Sequence, residues 1–215
     1  MTLISAELLK QEFDTWANFY TTKVEEVDYL MRSEAKIVRK GYESNAVDAI
    51  IVMANPGSCS AVDKNSQFSP YSSEDKQKEF VAARPDPTQY QLMNLMVRMK
   101  WNLLKIINLS DICTGNYKEF KQRLKEFEKI SFYSHSIFHV SRSLELNKHL
   151  EENSTLIYAW GSDSTIKNLA QLVVDKGLAN HGLHHSKNIY YRHPCPRLIE
   201  DRTKLLIDME NYLRG

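Results

Sequence analysis

Apolar and polar positions along the chain fall into short runs that switch between a helical and an extended period. Behind Ser5, a residue suited to capping a helix, Leu8, Leu9, Phe13, Trp16, Phe19 and Tyr20 follow helical spacing and predict a helix with one apolar face. Lys36–Tyr42 alternates enough to predict an edge strand, closed by Ser44-Asn45. The run Ala49–Ala54 is apolar throughout and begins after Asp48, the pattern of a strand covered on both faces in a parallel sheet. A long polar loop, Ser58–Pro87, separates it from a helix over Thr88–Lys100 carrying Met93, Met96 and Val97. Leu103–Leu109 predicts the next strand, and a polar helix follows at about Tyr117–Lys129.

Ser131–Glu152 carries no readable period, and Thr155–Trp160 is a third short apolar strand, closed by Gly161. Ser162 or Asp163 can cap the helix after it, whose face is Ile166, Leu169, Ala170, Val173 and Val174 and whose end is Lys176-Gly177. Asn188–Arg192 predicts a last strand, and a terminal helix presents Leu205, Leu206, Met209 and Leu213. Helices alternating with apolar strands predict an α/β protein, a three-layer α/β/α sandwich around a mainly parallel sheet. Residues 1–45 would form a helix and edge strand packed on a core of residues 46–215, all within one domain.

Composition narrows the partners. With 42% hydrophobic residues and a formal charge of +1, the chain can bury one substantial core and has no global attraction for phosphate backbones. No apolar run is long enough to span a membrane, and the first residues do not read as a signal peptide, so no membrane partner and a cytoplasmic location are expected. Cys59, Cys113 and Cys195 form no C-x-x-C pair and suit free thiols in a reducing compartment. Each follows a predicted strand end, so the three could also approach one another in a crevice. No cofactor is expected. His181, His184 and His185 have a spacing compatible with a metal, but no Cys or carboxylate pair completes a ligand set, so no metal is expected either.

Two loops hold the chemistry: Asn55-Pro56-Gly57 after the strand Ala49–Ala54, and His193-Pro194-Cys195-Pro196 after Asn188–Arg192. In an open parallel sheet, loops leaving the carboxyl ends of strands converge on one crevice, so an amide and an imidazole there can face one ligand. With Asn108 ending its strand and Ala159-Trp160-Gly161 ending another, the order of motifs resembles that of uracil-DNA glycosylase-like proteins over roughly residues 48–213. The Asn-Pro-Gly form is similar to the mismatch-specific uracil/thymine branch. A closer likeness is to the bacterial and phage family called domain of unknown function 1643, through Asn55-Pro56-Gly57, Asp86-Pro87-Thr88, Asn108-Leu109, Ala159-Trp160-Gly161 and His193-Pro194.

The resemblance implies a nucleobase-binding protein that cleaves the bond between base and sugar, or a related nucleic-acid-processing enzyme. It places Asn55 on the attacking water and His193 on the base carbonyl that gains charge. It has Asn108 read the base edge and Phe68 stack on the base, while Arg197 or Leu198 fills the gap left in a duplex. Cys195 stands where the glycosylases have Ser, and Gly57-Ser58 replaces an aromatic gate, which enlarges the pocket. Asn55 cannot abstract a proton, which leaves water activation slower than with a carboxylate. Asn-Pro and His-Pro are also ordinary turn formers, and the alternatives are a catalytically silent nucleotide- or partner-binding module and an enzyme of free nucleotides. The basic segment His181–Arg202, with Lys187, Arg192, Arg197 and Arg202, would supply weak contacts to nucleic acid or nucleotide phosphates.

Overall fold

The computed structural model of the chain describes residues 3–71, 79–151, 154–185 and 189–215. Part of the long loop, Lys187 and the first residue of the expected last strand, Asn188, lie outside the described residues.

Ser5 caps α1 (Ala6–Glu12) through its side chain, which accepts from the Leu8 N–H. The helix stops there, and Phe13–Val24 is strand β1. The expected helix over Phe13–Tyr20 is therefore corrected. Phe13, Thr15, Ala17 and Phe19 are buried while Asp14 and Trp16 are exposed, a period of two that the helix-like spacing of Phe13, Trp16 and Tyr20 concealed. Glu25 and Glu26 both take left-handed φ angles, 47° and 65°, and turn β1 directly into β2 (Val27–Arg39). Such a turn normally calls for Asn or Gly, so Glu-Glu gave no signal for the hairpin.

The seven strands run β4 (Ser60–Ala61), β5 (Val81–Arg84), β1, β2, β6 (Leu103–Asn108), β3 (Ala49–Met53) and β7 (Thr155–Tyr158) across one sheet. The chain has an α/β fold with a mixed sheet. β3 pairs in parallel with β6 and β7, whereas β1–β2, β2–β6, β1–β5 and β4–β5 are antiparallel. The mainly parallel expectation is corrected by this half of the sheet, where the two-residue Glu25-Glu26 turn joins β1 to β2 without the crossover helix that a parallel pair needs. Lys36–Tyr42 is corrected too: Lys36–Arg39 belong to β2, an interior strand between β1 and β6. Ile189–Arg192 is not a strand; its pairing consists of isolated bridges from Tyr191 to Gly161 and His184.

Alternate residues of β3 feed two cores. Ile50 and Val52 pack with Phe120, Leu124 and Phe127 of α3 (Tyr117–Lys129), Leu146 of α4 (Ser143–Leu150), and Ala170 and Val173 of α5 (Lys167–Val174). Ala49, Ile51 and Met53 pack with Leu9 of α1, Leu92 and Met96 of α2 (Pro87–Met99), and Leu205 and Met209 of α6 (Ile199–Arg214). Helices thus cover both faces, as fully apolar strands require. Asp163 caps the turn Ser164–Ile166 that leads into α5, as its sequence predicts.

β2 carries a bulge. Asn18 faces Glu34 but Phe19 faces Arg32, so Ser33 is an extra residue, and its hydroxyl donates to Asn18 Oδ1 at 2.7 Å. Tyr29 and Met31 accordingly join one core and Ala35 and Ile37 the other, although all four are odd-numbered.

The segment after β6 is tied to the unreadable stretch by buried polar groups. Asp111, fully buried, accepts from Tyr20 Oη at 2.8 Å and from Arg142 Nη1 at 2.6 Å. Nearby His135, 1% exposed, places Nδ1 3.0 Å from Ser110 Oγ, and burial pushes its pKa down to about 4 from 6.5. The unfolded chain takes up a proton near pH 6.5 that folded His135 refuses, so stability should fall as pH drops from about 6.5 towards 4. This one group accounts for about 3 kcal/mol. Urea unfolding across that range should show the loss, and His135→Gln should flatten it; the same slope in both proteins would place its origin elsewhere.

Candidate functional site

Met53 pairs with Asn108, and Ala159 N–H donates to Val52 O, so the loops at Asn55, Asn108 and Gly161 leave three adjacent parallel strands at one edge. Asn55 is half-buried, and its Nδ2 donates to Thr114 O at 2.8 Å and to Ile112 O at 3.4 Å. Both amide hydrogens therefore hold the loop after β6, and Oδ1 is the remaining polar atom. Asn108 is fully buried. In the orientation that satisfies its carboxamide, it donates to Asn55 O at 3.1 Å and accepts from Arg32 Nη2 at 3.2 Å. It braces Asn55 rather than facing an open crevice.

Arg32, 2% exposed, lies under the same loop and donates from Nη1 to Pro56 O at 3.1 Å. Gly57 takes φ +69°, and a Cβ there would stand 2.5 Å from Asp86 Oδ2. Glycine is thus required twice over, by the backbone angle and by the approach of the carboxylate. Asp86 is the N-cap of α2. Its Oδ1 accepts from Gln89 N–H at 2.9 Å, and its own N–H donates to Gln89 Oε1 at 3.0 Å, completing a capping box with Pro87 in the first turn.

The His-Pro loop comes to the same edge. A Cβ on Gly161 would lie 3.7 Å from His193 Cβ. Burial pushes the His193 pKa down, opposed by the Cys195 backbone and the Asp86 charge. His193 Nδ1 is 3.2 Å from Cys195 N and 3.3 Å from Cys195 O. The N–H only donates and the carbonyl only accepts, so the two contacts suit opposite tautomers of the neutral ring. Burial also raises the Cys195 thiol, against smaller opposing effects of Arg202 and the Thr88 hydroxyl, which leaves sulfur a poor nucleophile at neutral pH.

Phe68 is half-buried with its ring centroid 5.2 Å from that of Phe19, and its carbonyl accepts from Thr21 Oγ1 at 3.3 Å, so it anchors its loop to β1. Arg197 and Leu198 are exposed at the end of the His-Pro loop. Arg202 donates from Nε to Pro196 O at 2.7 Å and from Nη2 to Arg197 O at 3.4 Å, and Arg192 pairs with Asp208 at 3.5 Å. The basic segment thus has fewer uncommitted cations than its composition suggests. His184 packs on Tyr191 with centroids 4.4 Å apart, and among the described residues no three His, Cys, Asp or Glu side chains group as a metal site would need. Cys59 and Cys113 sit on adjoining loops, with Ser58 packed on Gly115, and burial pushes the Cys113 thiol far up. A separate cavity, lined by Ile50, His149, Leu150, Ser154, Leu156, Leu178 and Ala179, lies over the α4 face and away from the Asn55 loop.

Two residues that matter here were not singled out from sequence as site groups. Asp86 had a signal, since Asp-Pro-Thr-Gln is a capping box with Pro at N1. Arg32 had none, because its face depends on the bulge. No family model, curated protein or solved structure matches the chain.

Gly57→Ala should destabilise the protein by about 1–3 kcal/mol, combining a left-handed φ with displacement of Asp86. Gly177→Ala, with φ +62° and nothing within 4 Å, should cost only the backbone share, about 1 kcal/mol. Equal urea midpoints for the two variants would remove the special role of the Asp86 contact.

Proposed function

We propose that the chain binds a nucleobase at the carboxyl edge of β3, β6 and β7 and hydrolyses its bond to the sugar, on a fold of the uracil-DNA glycosylase-like type. The observation that carries this reading is the convergence of Asn55-Pro56-Gly57, Asp86 and His193, distant in sequence, on one sheet edge, with His193 held neutral. In its Nε2–H tautomer a neutral imidazole would donate to a base carbonyl that gains negative charge as the bond breaks. With Nδ2 anchored, Asn55 Oδ1 would accept from the attacking water. Asn108 supports that geometry from below through Asn55 O. Phe68, Cys195, Arg197 and Leu198 then shape the approaches to the site, with Gly57 giving room beside Asp86.

A second reading, an enzyme or binder of free nucleotides, draws support from the engagement of Arg192 with Asp208 and of Arg202 with loop carbonyls. Both leave few cations for a polynucleotide.

Base release should be measured with single-stranded and duplex oligonucleotides carrying deoxyuridine or deoxyinosine, and with the corresponding free nucleotides. His193→Ala should lower turnover about 10²–10³-fold, the loss typical for one donor to a developing oxyanion. A variant as active as the parent would remove His193 from the reaction. On oligonucleotides, the slope of log K against log salt should be shallow, and Arg197→Ala should reduce it by about one, with Arg202→Ala having the smaller effect. Salt-independent binding of a mononucleotide, with no oligonucleotide affinity at low ionic strength, would select the second reading.

A further inference from the structure

We propose that Asp86 is a catalytic residue of this site, the carboxylate that takes the proton of the attacking water, and that its capping of α2 is the means of holding it there. This rests on the hydrolase reading above and supplies what that reading lacks, since Asn55 can orient a water but cannot accept its proton.

The geometry separates the two carboxylate oxygens. Oδ1 is engaged by Gln89 N–H at 2.9 Å, and the capping box closes the other side of the residue through Gln89 Oε1. Among the described residues Oδ2 makes no hydrogen bond, and it stands over Gly57, where any side chain would collide with it at 2.5 Å. The carboxylate that overhangs Gly57 also acts on His193 and Cys195 of the His-Pro loop through its charge. Asp86 is half-buried and so reaches water. Asp111, the nearest rival on the loops of this edge, is fully buried and bound by Tyr20 and Arg142.

In the step that follows, the water oxygen forms a bond to the anomeric carbon as the carbon–nitrogen bond breaks. The bonding pair leaves with the base, whose charge meets the His193 imidazole. The water proton passes to Asp86 Oδ2 and from there to the departing base, so that free base and sugar hydroxyl are the products and the carboxylate is regenerated.

Asn and Ser cap helices about as well as Asp, so Asp86→Asn and Asp86→Ser keep the cap and remove the base. Both should unfold in urea at the parent midpoint. Base release from a single-stranded deoxyuridine oligonucleotide, under single-turnover conditions, should fall about 10²–10⁴-fold, while binding of free uracil stays unchanged. Independently of substrate, the His193 ring followed by NMR should titrate at lower pH in Asp86→Asn, because the carboxylate favours its protonation. Parent-like turnover in both variants, or an unmoved His193 titration, overturns the proposal and leaves the hydrolase reading standing. A parent protein that releases no base from any of the probes overturns both together.

Discussion

A guanidinium without a carboxylate underlies the candidate site. Arg32 is buried at 2% exposure, and among the described residues it has no ion-pair partner; its contacts are the carbonyl of Pro56 and the side chain of Asn108, and its Nε is buried with no hydrogen bond. An unpaired buried charge is among the most unfavourable things a fold can hold, so the surrounding structure must over-determine it. The extra residue Ser33 turns Arg32 towards this face and Glu34 to the other. From Arg32 the order passes to Pro56 and Asn108, from Asn108 to the Asn55 carbonyl, and from Asn55 to the loop at Ile112 and Thr114. The positive charge also sets a favourable potential beneath a loop where negative charge would develop.

The parallel half of the sheet was legible and the antiparallel half was not, for a reason that particular residues make plain. Ala49–Met53 is apolar throughout and Leu103–Asn108 and Thr155–Tyr158 are largely so, because helices cover both faces, and such runs bounded by polar residues are hard to misread. β1 mixes Asp14, Asn18 and Lys23 among aromatic residues, and its apolar positions fit two periods at once. The Glu25-Glu26 turn bears no turn chemistry, and the bulge breaks the alternation of β2 at the point where it matters most.

At the site, the loop positions of Asn55 and Gly57 follow from a strand end, which sequence locates well, whereas His193 follows a segment held by isolated bridges. The inward turn of Asn108 and the packing of Phe68 on Phe19 are set by partners far along the chain, as are the engagements of Arg192 and Arg202. Burial and pairing decide whether a polar side chain faces ligand or framework, and neither is a property of a motif.

The β1–β2 hairpin has a further consequence, for the order in which the chain acquires structure. Its register, from Phe13 opposite Arg39 to Val24 opposite Val27, is made of contacts between residues close in sequence, whereas β7 joins β3 only after a crossover of about a hundred residues. Local pairing closes small loops and forms early, while parallel pairing waits on large ones. The hairpin that delivers Arg32 is thus placed to form before Asn55, Asn108 and His193 have been brought together, so the foundation of the site precedes the site.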